Sequence, residues 1–98
     1  MSLFIVILEY TAPLAEIDKA LEAHRAWVRQ GYSDGVFLLS GPQTPRKGGA
    51  ILAHNIDRAA LEARLALDPF QQAGLVKHHI TEMAPRAADP RLSFLVET

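Results

Sequence analysis

Leu-Phe-Ile-Val-Ile-Leu, residues 3–8, is a continuous apolar run rich in β-branched and aromatic side chains. The run ends too soon for a helix, so it predicts a strand that is buried on both faces. Successive strand residues point to opposite sides, which places positions 4, 6 and 8 on one face and positions 3, 5 and 7 on the other. The rest of the chain has to cover both apolar faces.

Residues 13–30 predict the first helix. Apolar side chains recur there at helical spacing, at Leu14, Ile17, Leu21 and Val28. Pro13 suits the first helical position, and Gly31 stands where a glycine commonly follows a helix end.

The remaining segments predict short elements separated by Gly, Pro and Asp. They are strands at residues 36–40 and 50–54, a helix at 58–67 capped by Asp57, one turn at 69–73 capped by Asp68, and a last core strand at 75–83. After Asp89-Pro90, apolar residues alternate with polar ones in a weaker strand pattern, at Leu92, Phe94 and Val96 against Arg91, Ser93 and Glu97.

The order β-α-β-β-α-β is typical of the ferredoxin-like α+β fold, with one mixed sheet and both helices on one sheet face. We predict one domain over residues 1–85 and a C-terminal arm over residues 86–98. The second sheet face is left uncovered. Four large apolar side chains left in water, each worth roughly 1.5–3 kcal/mol, would remove much of a stability of about 5–15 kcal/mol. We therefore predict a homodimer with two sheets face to face, and the arm is a candidate for reaching across to the partner.

Composition excludes several classes of protein. The chain has 98 residues, and ten Lys and Arg against eleven Asp and Glu give a net charge of −1, which disfavours nucleic-acid or anionic-membrane partners. The absence of Cys removes disulfides and thiolate metal sites. The longest apolar run is far below the ~20 residues of a membrane span. We expect a soluble, cytoplasmic protein.

His24 is the most informative polar residue. The apolar stripe of the first helix lacks one step, three residues after Leu21 and four before Val28, and His24 fills it. A histidine bonded to a backbone carbonyl at the core edge is one interpretation. A general acid or base is the other, because an unperturbed imidazole titrates at about pH 6.5.

Asp68 is the natural partner for that ring. A carboxylate that accepts the other ring N–H fixes the tautomer and stabilises the imidazolium that forms on proton transfer. Asp before Pro is also ordinary helix-capping chemistry, and one carboxylate has enough lone pairs for both roles.

Other candidates carry weaker signals. His78 and His79 are adjacent on a predicted strand and point to opposite faces, and His54 lies on a strand that is not their neighbour, so we predict no metal site. The sequence Arg46-Lys47-Gly48-Gly49 fits either an anion-binding loop or an ordinary hairpin. Three hydroxyl residues could line a pocket beside the first helix, namely Ser40, Tyr10 and Tyr32.

Four motifs in this order and spacing resemble the YCII-related (YciI-like) family over roughly residues 3 to 84. They are Glu22-Ala23-His24, Gly35-Val36-Phe37-Leu38-Leu39, Ser40-Gly41-Pro42, and Asp68-Pro69-Phe70 followed by Gly74-Leu75. The loop of residues 42–49, which is short and basic, and the arm depart from the family pattern.

The resemblance implies a dimeric α/β barrel and an active site built on His24 and Asp68. It also suggests relatives that act on ring-derived lactones, or remove halide from aromatic-derived substrates, without a metal. Our leading interpretation is a cofactor-independent lyase or isomerase acting on a small organic substrate, with Ser40, Gly41, Pro42 and Phe70 in the substrate wall. A non-catalytic module that binds a small molecule or serves as an accessory dimerisation domain stays open, as does a purely structural His24.

Overall fold

The computed structural model describes residues 2–96, and Glu97 and Thr98 of the predicted arm lie outside that range. The elements are β1 (Leu3–Tyr10), α1 (Leu14–Ser33), β2 (Phe37–Pro42), β3 (Gly48–Ala53), α2 (Arg58–Leu65), α3 (Pro69–Gln72), β4 (Val76–Met83) and a short 3₁₀ helix (Pro90–Leu95). Within residues 2–96 no helix has both the length and the apolar character needed to cross a bilayer.

The four strands form one sheet in the order β2-β3-β1-β4, which confirms the ferredoxin-like arrangement. The predicted mixed sheet is wrong, because all three pairs of neighbouring strands are antiparallel. The reason is the split crossover. Each helical connection joins two parallel strands, β1 to β2 and β3 to β4. A third, antiparallel strand lies between the members of each pair, so all hydrogen-bonded neighbours run in opposite directions.

The helices cover one face of this sheet. Phe4, Val6 and Leu8 of β1 are buried there against α1, α2 and α3, whose main core side chains are Ile17, Leu61 and Phe70. Each such side chain contributes roughly 1.5–3 kcal/mol by leaving water. The core of the chain is therefore the layer between the helices and this face.

None of α1, α2 and α3 covers the opposite face, which we call the bare face. Residues directly opposite on neighbouring strands share a face, which aligns Leu39, Leu52, Ile5 and Thr81 in one row across the sheet. Leu39 is 56% exposed, and Ile5 is only half-buried. Within one chain, β1 is thus fully covered on one face, whereas the sequence predicts burial on both.

The first helix extends further than predicted. Asp34 caps its end by donating its backbone N–H to the carbonyls of Gln30 and Tyr32, and Gly35 follows with a positive φ of 74°. Gly31 is therefore not the terminating glycine. It lies inside the helix and is buried against Phe37. Glycine is required there because a Cβ would stand 2.1 Å from the Phe37 ring. Pro13 likewise lies just before the first helical residue rather than on it.

The predicted strand in the arm is also wrong. Residues 90–95 form the 3₁₀ helix, with the Asp89 carboxylate accepting the backbone N–H of Arg91 and Pro90 at the first helical position. An isolated strand has no partner for its backbone groups, whereas a capped turn satisfies some of its own. The domain boundary at residue 85 stays a prediction.

We predict that Gly31→Ala destabilises the fold although alanine favours helices. The added methyl group meets the buried Phe37 ring, and overpacking of this kind costs about 1–3 kcal/mol against a helix-propensity gain of about 1 kcal/mol. Urea unfolding measures the loss. Phe37→Leu provides the control. In that background Gly31→Ala should cost less stability than in the wild type, because the leucine side chain is smaller than the phenylalanine ring. Equal stability of wild type and Gly31→Ala would show that the ring moves freely.

Candidate active site

A cavity of about 490 Å³ lies between α1, α3 and the β1–β3 part of the sheet. This volume falls within the range of about 300–1,000 Å³ that is typical of small-molecule pockets. Its wall is mainly apolar, with Leu8, Leu21, Val28, Ile51 and Phe70 among the lining side chains. A small number of polar groups interrupt this wall, and they set the chemistry of the site.

His24 and Asp68 meet at the back of this cavity. Nδ1 of His24 lies 2.8 Å from Oδ1 of Asp68, and the carboxylate has no exposed surface. The ring lies in the middle of α1 and lines the cavity, and the carboxylate precedes α3. The structure therefore brings together the two residues that the sequence singles out, although 43 residues separate them in the chain.

Three groups donate hydrogen bonds to the Asp68 carboxylate. Oδ1 accepts from His24 and from the backbone N–H of Phe70 at 3.0 Å, and Oδ2 accepts from Nε2 of His78 at 3.1 Å. The bond to Phe70 is the predicted helix cap. The cap and the contact with His24 coexist on one oxygen, as the lone pairs of a carboxylate allow.

These contacts control the charge of Asp68. Burial raises the pKa of its carboxyl, but the hydrogen bonds from His24 and His78, the charge of His24 and the N–H of Phe70 outweigh burial, so the pKa lies below its usual value. Asp68 is therefore an anion at neutral pH. Because a carboxylate only accepts, Nδ1 of His24 carries the shared proton, and an imidazole protonated at Nδ1 alone has a lone pair on Nε2.

Packing fixes the orientation of the His24 ring. It stacks on Phe70 with ring centroids 4.0 Å apart and an angle of 8° between the planes, and Trp27 lies at 5.8 Å on the same helix. The residue that caps α3 and the residue that stacks on the imidazole are thus only two positions apart. Asp68 sets which ring nitrogen holds the proton, and Phe70 sets the plane of the ring.

Nε2 of His24 is open to the cavity. It hydrogen-bonds to none of residues 2–96, and no fully buried side-chain nitrogen or oxygen in that range lacks a partner. Solvent or a bound molecule therefore reaches Nε2. A buried acid, an oriented ring and an accessible lone pair are the parts that general acid/base chemistry requires.

All four residues predicted for the substrate wall lie at the cavity. Ser40, Gly41 and Pro42 of β2 line it, as does Phe70. The Ser40 hydroxyl is 2.6 Å from that of Tyr32, but Tyr32 itself, which the sequence offered as a pocket residue, does not line the cavity. Tyr10 also lines the cavity, beneath Arg46.

His78 is the site residue that the sequence reasoning missed. From the sequence it is a candidate only for metal binding. In the structure its side chain is nearly buried and donates a hydrogen bond to Oδ2 of Asp68. The signal lies in β4, where Val76, His78 and Ile80 alternate on the side facing the helices. His79 points to the other face and contacts Glu9, in agreement with the predicted opposite orientation of the two histidines. Over residues 2–96, no group of three or more His, Asp or Glu side chains is arranged to hold a metal ion.

Comparisons with known proteins agree with this fold. The family model described as "YCII-related domain" matches residues 3–84. A similar solved structure is 5-chloro-2-hydroxyhydroquinone dehydrochlorinase from Burkholderia phenoliruptrix AC1100 in complex with 2,5-dihydroxybenzoquinone. The TM-score is 0.73 at 15% identity, covering 89% of this chain and 99% of that one. A search of curated proteins found no significant match. At this identity the structural likeness concerns the fold alone.

We predict that Asp68→Asn destabilises the protein in a pH-dependent way. The lowered pKa means that the carboxylate stabilises the fold above about pH 4 and that this contribution is lost as the pH falls through the lowered value. The amide cannot accept on both atoms, and a lost hydrogen bond to a charged group costs about 1.5–3 kcal/mol. Urea unfolding from pH 7 to pH 2.5 should show a wild-type advantage that shrinks in acid.

Asp57→Asn is the matched control, because Asp57 also caps a helix, through the backbone N–H of Ala60, but lies outside the histidine pair. Asparagine caps helices about as well as aspartate, so this variant should change stability little. If the two asparagine variants lose equal stability, the cap alone accounts for Asp68.

Proposed function

This chain belongs to the YCII-related domain family, and we propose that it is an enzyme that transforms a small cyclic organic molecule by proton transfer through His24. The observation that carries the proposal is the pairing of Nδ1 of His24 with a buried carboxylate while Nε2 remains open to a mainly apolar cavity. A histidine that only filled the core edge would not require a buried acid beside it. The reaction class that suits this arrangement is a cofactor-independent lyase or isomerase step.

In the proposed mechanism, Nε2 of His24 removes a proton from an acidic C–H or O–H group of the substrate. The positive charge that develops on the ring is offset by Asp68, which is held in place by His78 and the N–H of Phe70. The same nitrogen then returns the proton to another substrate atom or to the leaving group. The Ser40 hydroxyl, which lines the cavity and pairs with the Tyr32 hydroxyl, is available to contact an oxygen of the substrate.

The choice of substrate class draws on the structural relative. That protein is named as a dehydrochlorinase of a chlorinated hydroxyhydroquinone and was solved with a dihydroxybenzoquinone. In general, loss of HCl from a chlorinated hydroquinone releases a proton and chloride, and the chlorine leaves with the bonding electron pair as the ring becomes a quinone. Isomerisation of an unsaturated lactone needs only a proton taken from one carbon and returned to another. Both reactions fit a single positioned imidazole.

We predict that His24→Gln lowers the rate of either reaction by about 10²–10⁴, which is the usual contribution of a positioned general base. The glutamine amide can still donate to Asp68, so the fold should survive. Chloride release from 5-chloro-2-hydroxyhydroquinone and the absorbance change of a β,γ-unsaturated γ-lactone provide the two assays. Binding of 2,5-dihydroxybenzoquinone, measured by calorimetry, reports on the cavity without turnover.

His54→Gln is the control, since His54 follows β3 and does not line the cavity. Turnover that survives His24→Gln in a folded protein would refute the proposed base. A wild type that binds the quinone but converts none of these probes supports the non-catalytic binding module instead.

We also propose that the bare face is the interface of a homodimer. Leu39 at 56% exposure and Met83 at 43% lie on it, beside the half-buried Ile5 and Leu52. A symmetric partner presents the same apolar row, so two copies bury each other's surface without a second kind of protein. Contact between the arm and the partner, and a cytoplasmic location, stay predictions.

We predict that Leu39→Glu converts the dimer to a monomer. Each interface would bury two copies of the new charge, and burial of one leucine alone is worth roughly 1.5–3 kcal/mol, so dimerisation should weaken at least about tenfold. Sedimentation measures the change. Leu67→Glu is the matched control, because Leu67 is 62% exposed but lies beyond α2, away from the bare face. A wild type that is monomeric at micromolar concentration would refute the dimer.

A further inference from the structure

The cavity wall carries an excess of positive charge. Three arginines line it, Arg25, Arg29 and Arg46, whereas Asp18 is the one carboxylate among the lining residues of the described chain. Overall, the chain has a net charge of −1, so this excess is a local feature and not a consequence of composition. Asp68 lies behind the wall, and its charge is already engaged by three donors.

The arginines differ in how fully they are paired. Arg46 donates to Asp18 at 2.7 Å and lies over the ring of Tyr10, so its charge is compensated. Arg29 is 3.9 Å from Glu22, and both side chains are mostly exposed, which makes a weak pair. Arg25 forms no ion pair within residues 2–96. Two guanidinium groups at the cavity are thus available to a ligand.

Their position on α1 relates them to the reacting group. Arg25 follows His24 directly, and Arg29 lies four residues further on, which is one helical turn along the same side. A guanidinium group binds carboxylates and other ionised oxygens with two parallel hydrogen bonds. A negative group held there would place the rest of the ligand in the cavity that His24 and Phe70 also line.

We propose that the ligand of this cavity is an anionic cyclic compound, with a carboxylate or ionised enol oxygen bound by Arg25 and Arg29 and an apolar ring against Phe70. This inference rests on the proposed function and names its substrate class. It also adds to the mechanism, because removal of a proton from a ligand makes it more negative, and fixed cations at the cavity stabilise that developing charge.

Isothermal calorimetry with 4-hydroxybenzoate and 4-hydroxybenzamide tests the proposal, since the two probes have nearly the same shape and differ in charge. The wild type should bind the benzoate at least about tenfold more tightly, a difference that corresponds to about 1.4 kcal/mol. Arg25→Gln and Arg29→Gln should each weaken benzoate binding by roughly threefold to tenfold and leave benzamide binding unchanged. The preference should decrease in high salt.

Arg58→Gln is the matched control, because it removes the same charge from α2, away from the cavity. Equal affinity of the wild type for both probes, failure of the benzoate to bind at millimolar concentration, or an equal effect of Arg58→Gln would each overturn the proposal. Repeating the titrations with His24→Gln separates the two hypotheses. A charge preference that persists there supports the anionic ligand independently of whether His24 catalyses a reaction.

Discussion

A carboxylate with no exposed surface is the constraint on which the site depends. An uncompensated charge in such a position costs several kcal/mol, so Asp68 is tolerated only because donors from three parts of the chain surround it. His24 arrives on α1, His78 on β4, and the N–H of Phe70 from the first turn of α3. Helix packing, strand register and helix capping must therefore all be correct before the charge is stable. Assembly of the site therefore requires that the core elements are in place.

This arrangement also explains how the imidazole of His24 is held in one orientation and one tautomer. The backbone of α1 fixes its position, Phe70 fixes the plane of the ring, and Asp68 fixes which nitrogen carries the proton. The remaining nitrogen is the one that faces the cavity. Groups carried by helices and strands hold their geometry more closely than groups carried by loops. The buried Asp68 carboxylate thus holds an imidazole that has one accessible lone pair and little freedom to rotate.

Local periodicity and capping signals were enough to predict the elements of residues 3–83, their order, and His24 and Asp68 as a pair that could meet. Register was not. The link between His78 and Asp68 depends on which β4 residue lies opposite Leu8, and a shift of one residue would turn His78 toward the bare face. Gly31 was misassigned for a similar reason, because its role comes from the ring of Phe37 on β2 and not from its own helix. The strand predicted in the arm is wrong because alternation of apolar and polar residues gives a strand only where another strand is available to pair with it.

The two faces of the sheet divide the tasks of the chain. The helix-covered face supplies the core and also the floor of the cavity, through Leu8 and Ile51. The bare face supplies an apolar surface of the kind that a second copy can cover. Residues of the two faces alternate along the same strands, so the strands beneath the cavity are also the strands of the bare face. In the proposed dimer, the interface and the floor of the cavity would therefore share β1, the strand that the apolar run of residues 3–8 defines.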